Sequence, residues 1–321
     1  MTTQWIYDIT QEFVYQFQGF CQLRCQVANH SPEVLTVLEA SRDAWAFPAV
    51  ESILRRLTKF YKPNSNPSTK GSSAGENSGS VKSQFGYFAT VELGRLYCLL
   101  GDYNESINSL APIKLFDRSE LFAQLTLCHF NVFYHNGVCK MMLGQFAEAA
   151  EIFAEITSLI SRILKPGAAA ANRQTNASSL QKMLDKVLAL IAIVVTLEPN
   201  HRVEDNVIEM TENKWSEKEK LRKLQAGDEA VFTEFFVFST PKFVSAVIPD
   251  YSSAVSIHQE AAQQQLTVFL SLVKQQAPFY KLRSFLTLYA SIDIAKLARF
   301  NDISEEDLVR FLLHSYYHSL L

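Results

Sequence analysis

Four residues come closest to a metal-binding pattern: Cys128, His129, His135 and Cys139. On a single helix His135 and Cys139 would lie one turn apart, whereas Cys128 and His129 would point about 100° from each other. Structural zinc needs four ligands in a tetrahedral arrangement, usually supplied by turns rather than by one helix. This spacing favours packed cysteines and a hydrogen-bonded histidine over a metal site.

Two further histidines, His314 and His318, have the i, i+4 spacing of a helical zinc-protease motif. Ser315 stands where that motif requires a glutamate as the general base, and no third ligand is evident in the sequence. The chain also has no G-x-S-x-G nucleophile elbow, no Walker A loop and no G-x-G-x-x-G loop. We therefore predict that the protein is not an enzyme, with no catalytic residues, no cofactor and no metal.

Charge and cysteine content indicate the compartment and the kind of partner. The net charge of −3 does not supply the concentrated positive surface that phosphate binding requires. The five cysteines form no CxxC pair and no disulfide framework, which favours a reducing compartment. Met1–Trp5 has no basic region ahead of an apolar run, and the apolar stretch Val187–Leu197 is too short to span a bilayer. We expect a cytoplasmic protein with no membrane partner.

Residues 1–61 form an N-terminal helical segment in this interpretation. In Trp5–Arg24 apolar residues recur at spacings of three and four, as in an amphipathic helix, and a second helix is predicted over Ala49–Phe60. Residues 62–84 are rich in Ser, Gly and Asn and cannot bury apolar surface, so they are predicted to be a disordered loop.

Residues 85–228 contain two segments of similar sequence. The segment Leu93–Leu110 resembles Asn136–Phe153 at an offset of 43 residues. Paired positions are Gly94 with Gly137, Leu100-Gly101 with Leu143-Gly144, Tyr103 with Phe146, Ser106 with Ala149, and Leu110 with Phe153. The first glycine would let a partner helix approach closely, and the second would end its helix in a left-handed cap.

This pattern matches a tetratricopeptide-type repeat of two antiparallel helices, with Leu93-Gly94-x-x-Tyr97 as its first half and Ala149-x-x-x-Phe153 as its second. Residues 85–228 are therefore predicted to be an arm of helical repeats, irregular because the period exceeds 34 residues. After a break at Lys165–Ser179, Leu180–Leu197 is apolar nearly all round and predicts a buried helix.

Residues 229–321 begin with the phenylalanine-rich run Ala230–Tyr251, whose prolines predict a short helix followed by an extended, anchored loop. Helices are predicted over Gln259–Gln276, Phe279–Ala290 and Ile294–Phe300, and the last of these is followed by a turn and an N-cap at Ser304. This pattern predicts a helix-turn-helix, as at the start of a winged-helix-like segment. Three acidic residues open its second helix, and the segment holds nine acidic against seven basic side chains, which favours a protein over a nucleic acid as its partner.

Four segments together resemble the family of subunit L of eukaryotic translation initiation factor 3, also known as the RNA polymerase I-associated factor family: Trp5–Cys25, Leu100–Tyr103, Ser239–Tyr251 and Arg283–Phe300. This family belongs to the PCI-domain proteins. The resemblance implies an all-α fold, in which a right-handed arm of tetratricopeptide-like repeats leads into a PCI domain at 229–321. It also implies that the family pattern continues on both sides of this chain, so that the winged helix is truncated here.

The resemblance further implies a non-catalytic scaffold subunit that packs against other PCI subunits, with subunits K and E as expected neighbours, and reaches the small ribosomal subunit through the complex. Partner contacts are predicted at Phe285, Leu288, Leu297 and Leu308. Two alternatives stay open: a PCI scaffold of the proteasome-lid or signalosome type, and a direct RNA-binding module. Direct RNA contact is predicted to be minor.

Overall fold

The computed structural model describes residues 2–61, 76–164, 174–198, 201–215, 218–252, 257, 259–289, 291–300 and 303–320. Within these ranges only the backbone is described for 76–80, 174–177, 218, 277–287, 311 and 314–320. All regular structure in the described residues is helical, which confirms the all-α prediction. None of the helices described combines the length and the apolar character needed to cross a bilayer.

The described α-helices, α1 to α14 in chain order, are Thr3–Arg24, Pro32–Ala40, Phe47–Thr58, Glu76–Leu100, Tyr103–Leu110, Thr126–Met142, Phe146–Leu164, Gln174–Leu197, Asp205–Lys214, Lys218–Gln225, Glu229–Ser239, Glu260–Leu288, Ile294–Phe300 and Glu305–Leu320. Two short 3₁₀ turns lie at Val27–Asn29 and Leu121–Gln124. The chain divides into two compact units, Met1–Val268 and Phe269–Leu321.

The first unit is built around α4, which packs against α1, α3, α5 and α6. α1 begins at the N-cap Thr2, and its buried face carries Ile6, Val14, Phe17 and Cys21. Ile9, which the periodicity placed on the same apolar stripe, is 47% exposed. The buried face is therefore rotated relative to the predicted stripe, toward Tyr7, Val14 and Cys21.

α4 extends further toward its N-terminus than the composition predicted. It begins at Glu76, so 76–84, assigned to the loop, are helical, whereas 62–75 lie outside the described residues. The helix is anchored by tight packing against the end of α3: a Cβ on Gly86 would lie 2.5 Å from the backbone nitrogen of Tyr61. Buried Tyr87 and Phe88 follow at once. Because helix propagation costs less than nucleation, the polar turns can extend from this anchored segment.

The two similar segments, Leu93–Leu110 and Asn136–Phe153, form two helical hairpins with the same local contacts. Gly101 (φ 83°) follows α4 and Gly144 (φ 77°) follows α6, both in the left-handed region. The N–H of Asp102 donates to Tyr97 O and that of Gln145 donates to Lys140 O, each at 2.9 Å. These bonds close each helix with a Schellman motif.

The other paired positions also correspond. Gly94 faces the side chain of Leu110, and Gly137 faces that of Phe153. A Cβ added to Gly94 would lie 2.8 Å from the Leu110 side chain, and one added to Gly137 would lie 2.5 Å from the Phe153 side chain. Glycine is therefore required at both crossings because the second helix of each hairpin lies directly on it.

α8 is the buried helix that the sequence predicted. Val187, Leu190, Ile193 and Val194 are at most 1% exposed, and α7, α9, α10 and α11 pack around it. α11 joins this packing, and the residues from Glu229 to Val268 belong to the first unit. The division at 268/269 therefore differs from the boundary predicted at 228/229.

α12 runs as one helix through Pro278, where the sequence predicted two helices, Gln259–Gln276 and Phe279–Ala290. In the second unit, α13 has the bounds predicted for it, Ile294–Phe300. α13 packs against α14. The strands of a wing are not tested, because the last described residue lies within α14.

Candidate interaction site

The turn between α13 and α14 is held by Ser304. Its hydroxyl accepts a hydrogen bond from the backbone N–H of Asp307 at 3.1 Å and donates to the Asp307 carboxylate at 2.7 Å. This is the N-cap predicted from the sequence. Glu305, Glu306 and Asp307 all lie in the first turn, where the helix dipole stabilises negative charge.

The four residues predicted to contact a partner occupy different environments. Leu297 and Leu308 are 2% and 0% exposed and lie together in a small apolar cluster with Ala298. Leu288, at the end of α12, is 76% exposed. The side chain of Phe285 lies outside the described residues. A partner contact at these four positions stays a prediction, and of the three described side chains only Leu288 is available at the surface.

The second unit exposes further large apolar side chains among its described residues: Leu288, Tyr289, Ile294, Phe300, Val309 and Leu313. Val309 and Leu313 are one turn apart on α14. The ammonium of Lys296 lies 5.4 Å from the ring centroid of Tyr289 and 5.7 Å from that of Phe300, so both rings flank one cation. These side chains are accessible at the surface of the second unit.

The extended segment 240–250 is the anchored loop that the prolines predicted. The N–H of Val244 donates to Leu99 O at 3.0 Å, and Gln18 Nε2 donates to Lys242 O at 2.9 Å. Phe243 and Val244 are 6% and 5% exposed. This segment, which we call the strap, holds α1 against the end of α4.

Arg24 secures the next part of the strap. It is fully buried and donates from Nη2 to Ala246 O at 3.1 Å. Its Nε and Nη1 groups have no hydrogen-bond partner among the described residues. An arginine at a helix end usually predicts a solvated charge, so no pattern in the sequence predicts the burial of Arg24.

Between the strap, α3 and α5 lies a groove of about 510 Å³. On one wall Tyr97 donates its hydroxyl proton to Glu51, and Arg55 Nε donates to the same carboxylate at 2.7 Å. The bond from Tyr97 and then the bond from Arg55 lower the pKa of Glu51. Burial is the main cause that raises the pKa of Tyr97 to about 12. The hydrogen bonds hold these three polar side chains together on one wall of the groove.

The residues first considered for metal binding make separate contacts, and all of them are buried except the half-buried His129. His135 Nδ1 lies 2.8 Å from Asn131 O and therefore carries the proton. Burial lowers the pKa of His135 to about 3. Cys139 Sγ donates to the Ser106 hydroxyl at 3.2 Å, and the ring of His129 lies against Phe122 and Phe133. Across the part of the chain with described side chains, no group of three or more His, Cys, Asp or Glu residues could hold a metal ion. His314 and His318 lie outside the described side chains.

One buried ion pair lies close to these residues. Glu92, fully buried, lies 3.2 Å from Arg95, and burial raises its pKa despite the opposing effect of Arg95. Tyr7 accepts a hydrogen bond from Asn131 Nδ2 at 2.7 Å, and burial raises the pKa of Tyr7 strongly. The side chains of Glu92, Arg95 and Tyr7 do not line the groove. They lie within the packing of α1, α4 and α6.

A third Schellman turn was missed in the sequence. Gly227 (φ 82°) ends α10, and the N–H of Asp228 donates to Lys223 O at 3.0 Å. Asp228 then caps α11 by accepting from Ala230 N at 3.0 Å. The sequence signal for this turn is a glycine followed by an N-cap residue, as in Gly101-Asp102. It lacks the aromatic residue that comes two positions after the glycine in the first two turns.

Comparison with known proteins gives a consistent set of relatives. A family model described as RNA polymerase I-associated factor PAF67 matches residues 1–320. Over 317 residues the chain is 32% identical to eukaryotic translation initiation factor 3 subunit L of Danio rerio and of Homo sapiens, and 31% identical to that of Xenopus laevis. Each match covers 96% of this chain and 54% to 55% of the relative. The chain thus spans about half the length of the curated relatives it matches.

Proposed function

The chain belongs to the RNA polymerase I-associated factor PAF67 family and is a homologue of translation initiation factor 3 subunit L, and from this we propose that it is a non-catalytic scaffold subunit of a translation initiation factor 3 complex in the cytoplasm. The observation that carries the proposal is the 32% identity to the human subunit over 96% of the chain. The buried state of the reactive side chains described above supports a role without catalysis.

The helical hairpins serve as tetratricopeptide-like repeats of a right-handed arm. The support is local: α4–α5 and α6–α7 share the left-handed glycine, the two Schellman bonds and the glycine under the second helix. Stacked hairpins bury a continuous core and leave extended surfaces for partners.

The second unit begins a PCI-type winged helix that packs against other subunits. Its support is the capped α13–α14 pair with Leu297 and Leu308 between the helices, together with the apolar side chains exposed around it. Subunits K and E are the proposed neighbours. The chain reaches the small ribosomal subunit through the complex, because the acidic first turn of α14 repels phosphate.

Sedimentation of cell extract tests the proposal. An affinity-tagged chain, expressed at its natural level, is followed across a sucrose gradient at low salt, with a free tag as control. It should co-sediment with the small ribosomal subunit and shift to lighter fractions when the other initiation factor 3 subunits are depleted. A chain that stays at monomer size in untreated extract would contradict the proposal. Sedimentation with the ribosomal subunit after depletion would favour direct RNA binding.

A further inference from the structure

Helix α1 has a second apolar face, opposite the face that packs into the first unit. Its large apolar side chains, all at least 44% exposed, are Trp5, Ile9, Tyr15 and Leu23. At about 100° per residue they lie within roughly 120° of the helix circumference, and they extend over about 27 Å of its length. We call them, together with Gly19 between them, the α1 outer face. A helix at the surface of a globular protein ordinarily carries polar residues on the side away from the core, so this face indicates a second packing partner.

Gly19 gives the kind of partner. A glycine within a helix destabilises it relative to alanine. The helical glycines Gly86, Gly94 and Gly137 each lie so close to another element that an added Cβ would come within 2.5 Å or 2.8 Å of it. A Cβ on Gly19, by contrast, would meet no atom within 4 Å. No described part of the chain uses the space above Gly19, which is open to the close approach of a helix from outside.

The outer face carries negative charge. Asp8 and Glu12 are the only acidic residues of α1, and both lie on this face. Asp8 accepts a hydrogen bond from Gln4 Nε2 at 2.7 Å, and Glu12 accepts one from Gln16 Nε2, so both of these partners are uncharged. Arg24, the one basic residue of α1, is buried on the opposite side. Two carboxylates favour a basic occupant over a nucleic acid, an anionic membrane or a second copy of this face, all of which would bring like charges together.

We propose that the α1 outer face binds a basic amphipathic helix of a partner protein. The apolar stripe of that helix packs on Trp5 and Tyr15, and its backbone comes closest at Gly19. Its basic side chains face Asp8 and Glu12. Packed helices lie about 8–10 Å apart, and glycine permits the shortest of these distances. Tryptophan and tyrosine are common anchors of protein interfaces. This docking face goes beyond the proposed function and does not depend on it.

Two synthetic peptides test the proposal on the purified chain. Both are amphipathic helices of about 20 residues, long enough to follow α1, with the same leucine stripe and no tryptophan. One carries lysine beside the stripe, and the other carries glutamate. The lysine peptide should bind saturably, with one peptide per chain, and should shift the fluorescence emission of Trp5 to shorter wavelength because the indole leaves water. The glutamate peptide should bind at least about tenfold more weakly, because like charges meet at Asp8 and Glu12.

Trp5→Phe keeps an apolar ring and should abolish the emission shift, while calorimetry still detects binding of the lysine peptide. Absence of saturable binding by the lysine peptide, equal affinity for the two peptides, or an emission shift that persists in Trp5→Phe would overturn the proposal.

Charge variants locate the peptide on the outer face. Asp8→Asn combined with Glu12→Gln removes both charges at nearly constant size and should bring the two peptide affinities within about threefold of each other. Asp205→Asn combined with Glu209→Gln is the matched control, because Asp205 and Glu209 have the same spacing on α9 and are exposed. The control variant should keep the full preference for the lysine peptide.

Gly19→Ala separates docking from folding. The added methyl group meets no atom of the chain and raises helix propensity, so the variant should be at least as stable as the wild type. It should bind the lysine peptide about five- to tenfold more weakly, because the Cβ keeps the two helices apart. Wild-type affinity in Gly19→Ala, or an unchanged charge preference without Asp8 and Glu12, would refute the assignment to the outer face. None of these measurements involves the initiation factor complex, so their failure would leave the proposed function untouched.

Discussion

Arg24 Nη2 donates a hydrogen bond to the carbonyl oxygen of Ala246 at 3.1 Å, and the two residues are 222 positions apart in the chain. The contact joins the end of α1 to the strap, which in turn is bonded to the end of α4 through Val244 and Leu99. Three segments distant in sequence therefore depend on one another for their placement. The first unit should lose stability when this contact is removed.

Arg24→Ala tests that dependence. The substitution leaves the carbonyl of Ala246 unpaired and opens a cavity at a fully buried position, so we expect the free energy of unfolding to fall by about 2–4 kcal/mol. Arg42→Ala is the matched control, because Arg42 forms an exposed ion pair with Glu39 and its loss should cost less than about 1 kcal/mol. Urea unfolding followed by circular dichroism measures both. Equal losses in the two variants would contradict a structural role for Arg24.

Gly137→Ala tests the close crossing in the second hairpin. A Cβ would lie 2.5 Å from Cε1 of Phe153, so we expect a loss of about 1–3 kcal/mol in unfolding free energy. Gly19, exposed within α1, has no atom within 4 Å of such a Cβ. Gly19→Ala should therefore stabilise the chain by about 0.5–1 kcal/mol through helix propensity. The opposite signs, read from thermal or urea unfolding, are the diagnostic result, and a stabilising Gly137→Ala would show that the helices can separate freely.

His135 predicts a loss of stability in acid. Burial lowers its pKa from 6.5 to about 3, so below pH 6.5 the unfolded chain binds a proton that the folded chain does not. The contribution of His135 to the free energy of unfolding is therefore intact above pH 6.5 and falls as the pH decreases toward 3. Between pH 7 and pH 5 we expect it to fall by about 2 kcal/mol. The difference in unfolding free energy between wild type and His135→Gln isolates it, because other groups titrate equally in both. A difference that does not vary with pH would contradict the buried, neutral state.

The five cysteines should be unreactive in the folded chain. All are buried, and burial raises the pKa of Cys21 to about 11 and that of Cys128 well above its ordinary value. Because the thiolate is the reactive form, a disulfide reagent at pH 8 should modify them at least about a hundredfold more slowly than in guanidinium. Val37→Cys, at a position 63% exposed, provides one fast thiol as a control. Two or more fast thiols in the wild-type chain would contradict this packing.

Substitutions in the second unit separate surface from core. Leu288→Asp and Leu313→Asp alter side chains that are 76% and 51% exposed, so we expect them to reduce co-purification of sibling subunits without loss of helical content. Leu297→Asp places a charge in the cluster that contains Leu308, so it should unfold the α13–α14 pair. Val37→Asp is the surface control in the first unit. If Leu288→Asp and Leu313→Asp both retain the partners, the interface lies elsewhere on the chain.

Local features were predictable from the sequence because their causes are local. The glycines that end α4 and α6, the N-cap at Ser304 and the buried α8 follow from residue type and spacing within a few turns. The burial of Arg24 depends on the strap more than two hundred residues away, and no local pattern reports it. The continuation of α12 through Pro278 was likewise unpredicted, because proline usually ends a helix.

The candidate interaction surface was predictable only in part. The apolar pattern predicted partner contacts at Phe285, Leu288, Leu297 and Leu308, and these contacts stay a prediction. It could not distinguish Leu297, which Leu308 covers from α14, from Leu288, which stays exposed. That distinction depends on which helix covers which face, and it is a property of the tertiary structure.

We propose that this chain is a subunit of a translation initiation factor 3 complex. Quantitative mass spectrometry of proteins retained by an affinity-tagged chain from cytosol, against an untagged extract, tests it most directly. We predict that the most enriched proteins are other subunits of initiation factor 3, with K and E among them. If proteasome-lid or signalosome subunits are enriched instead, or if the chain is recovered alone, the chain is not a subunit of initiation factor 3.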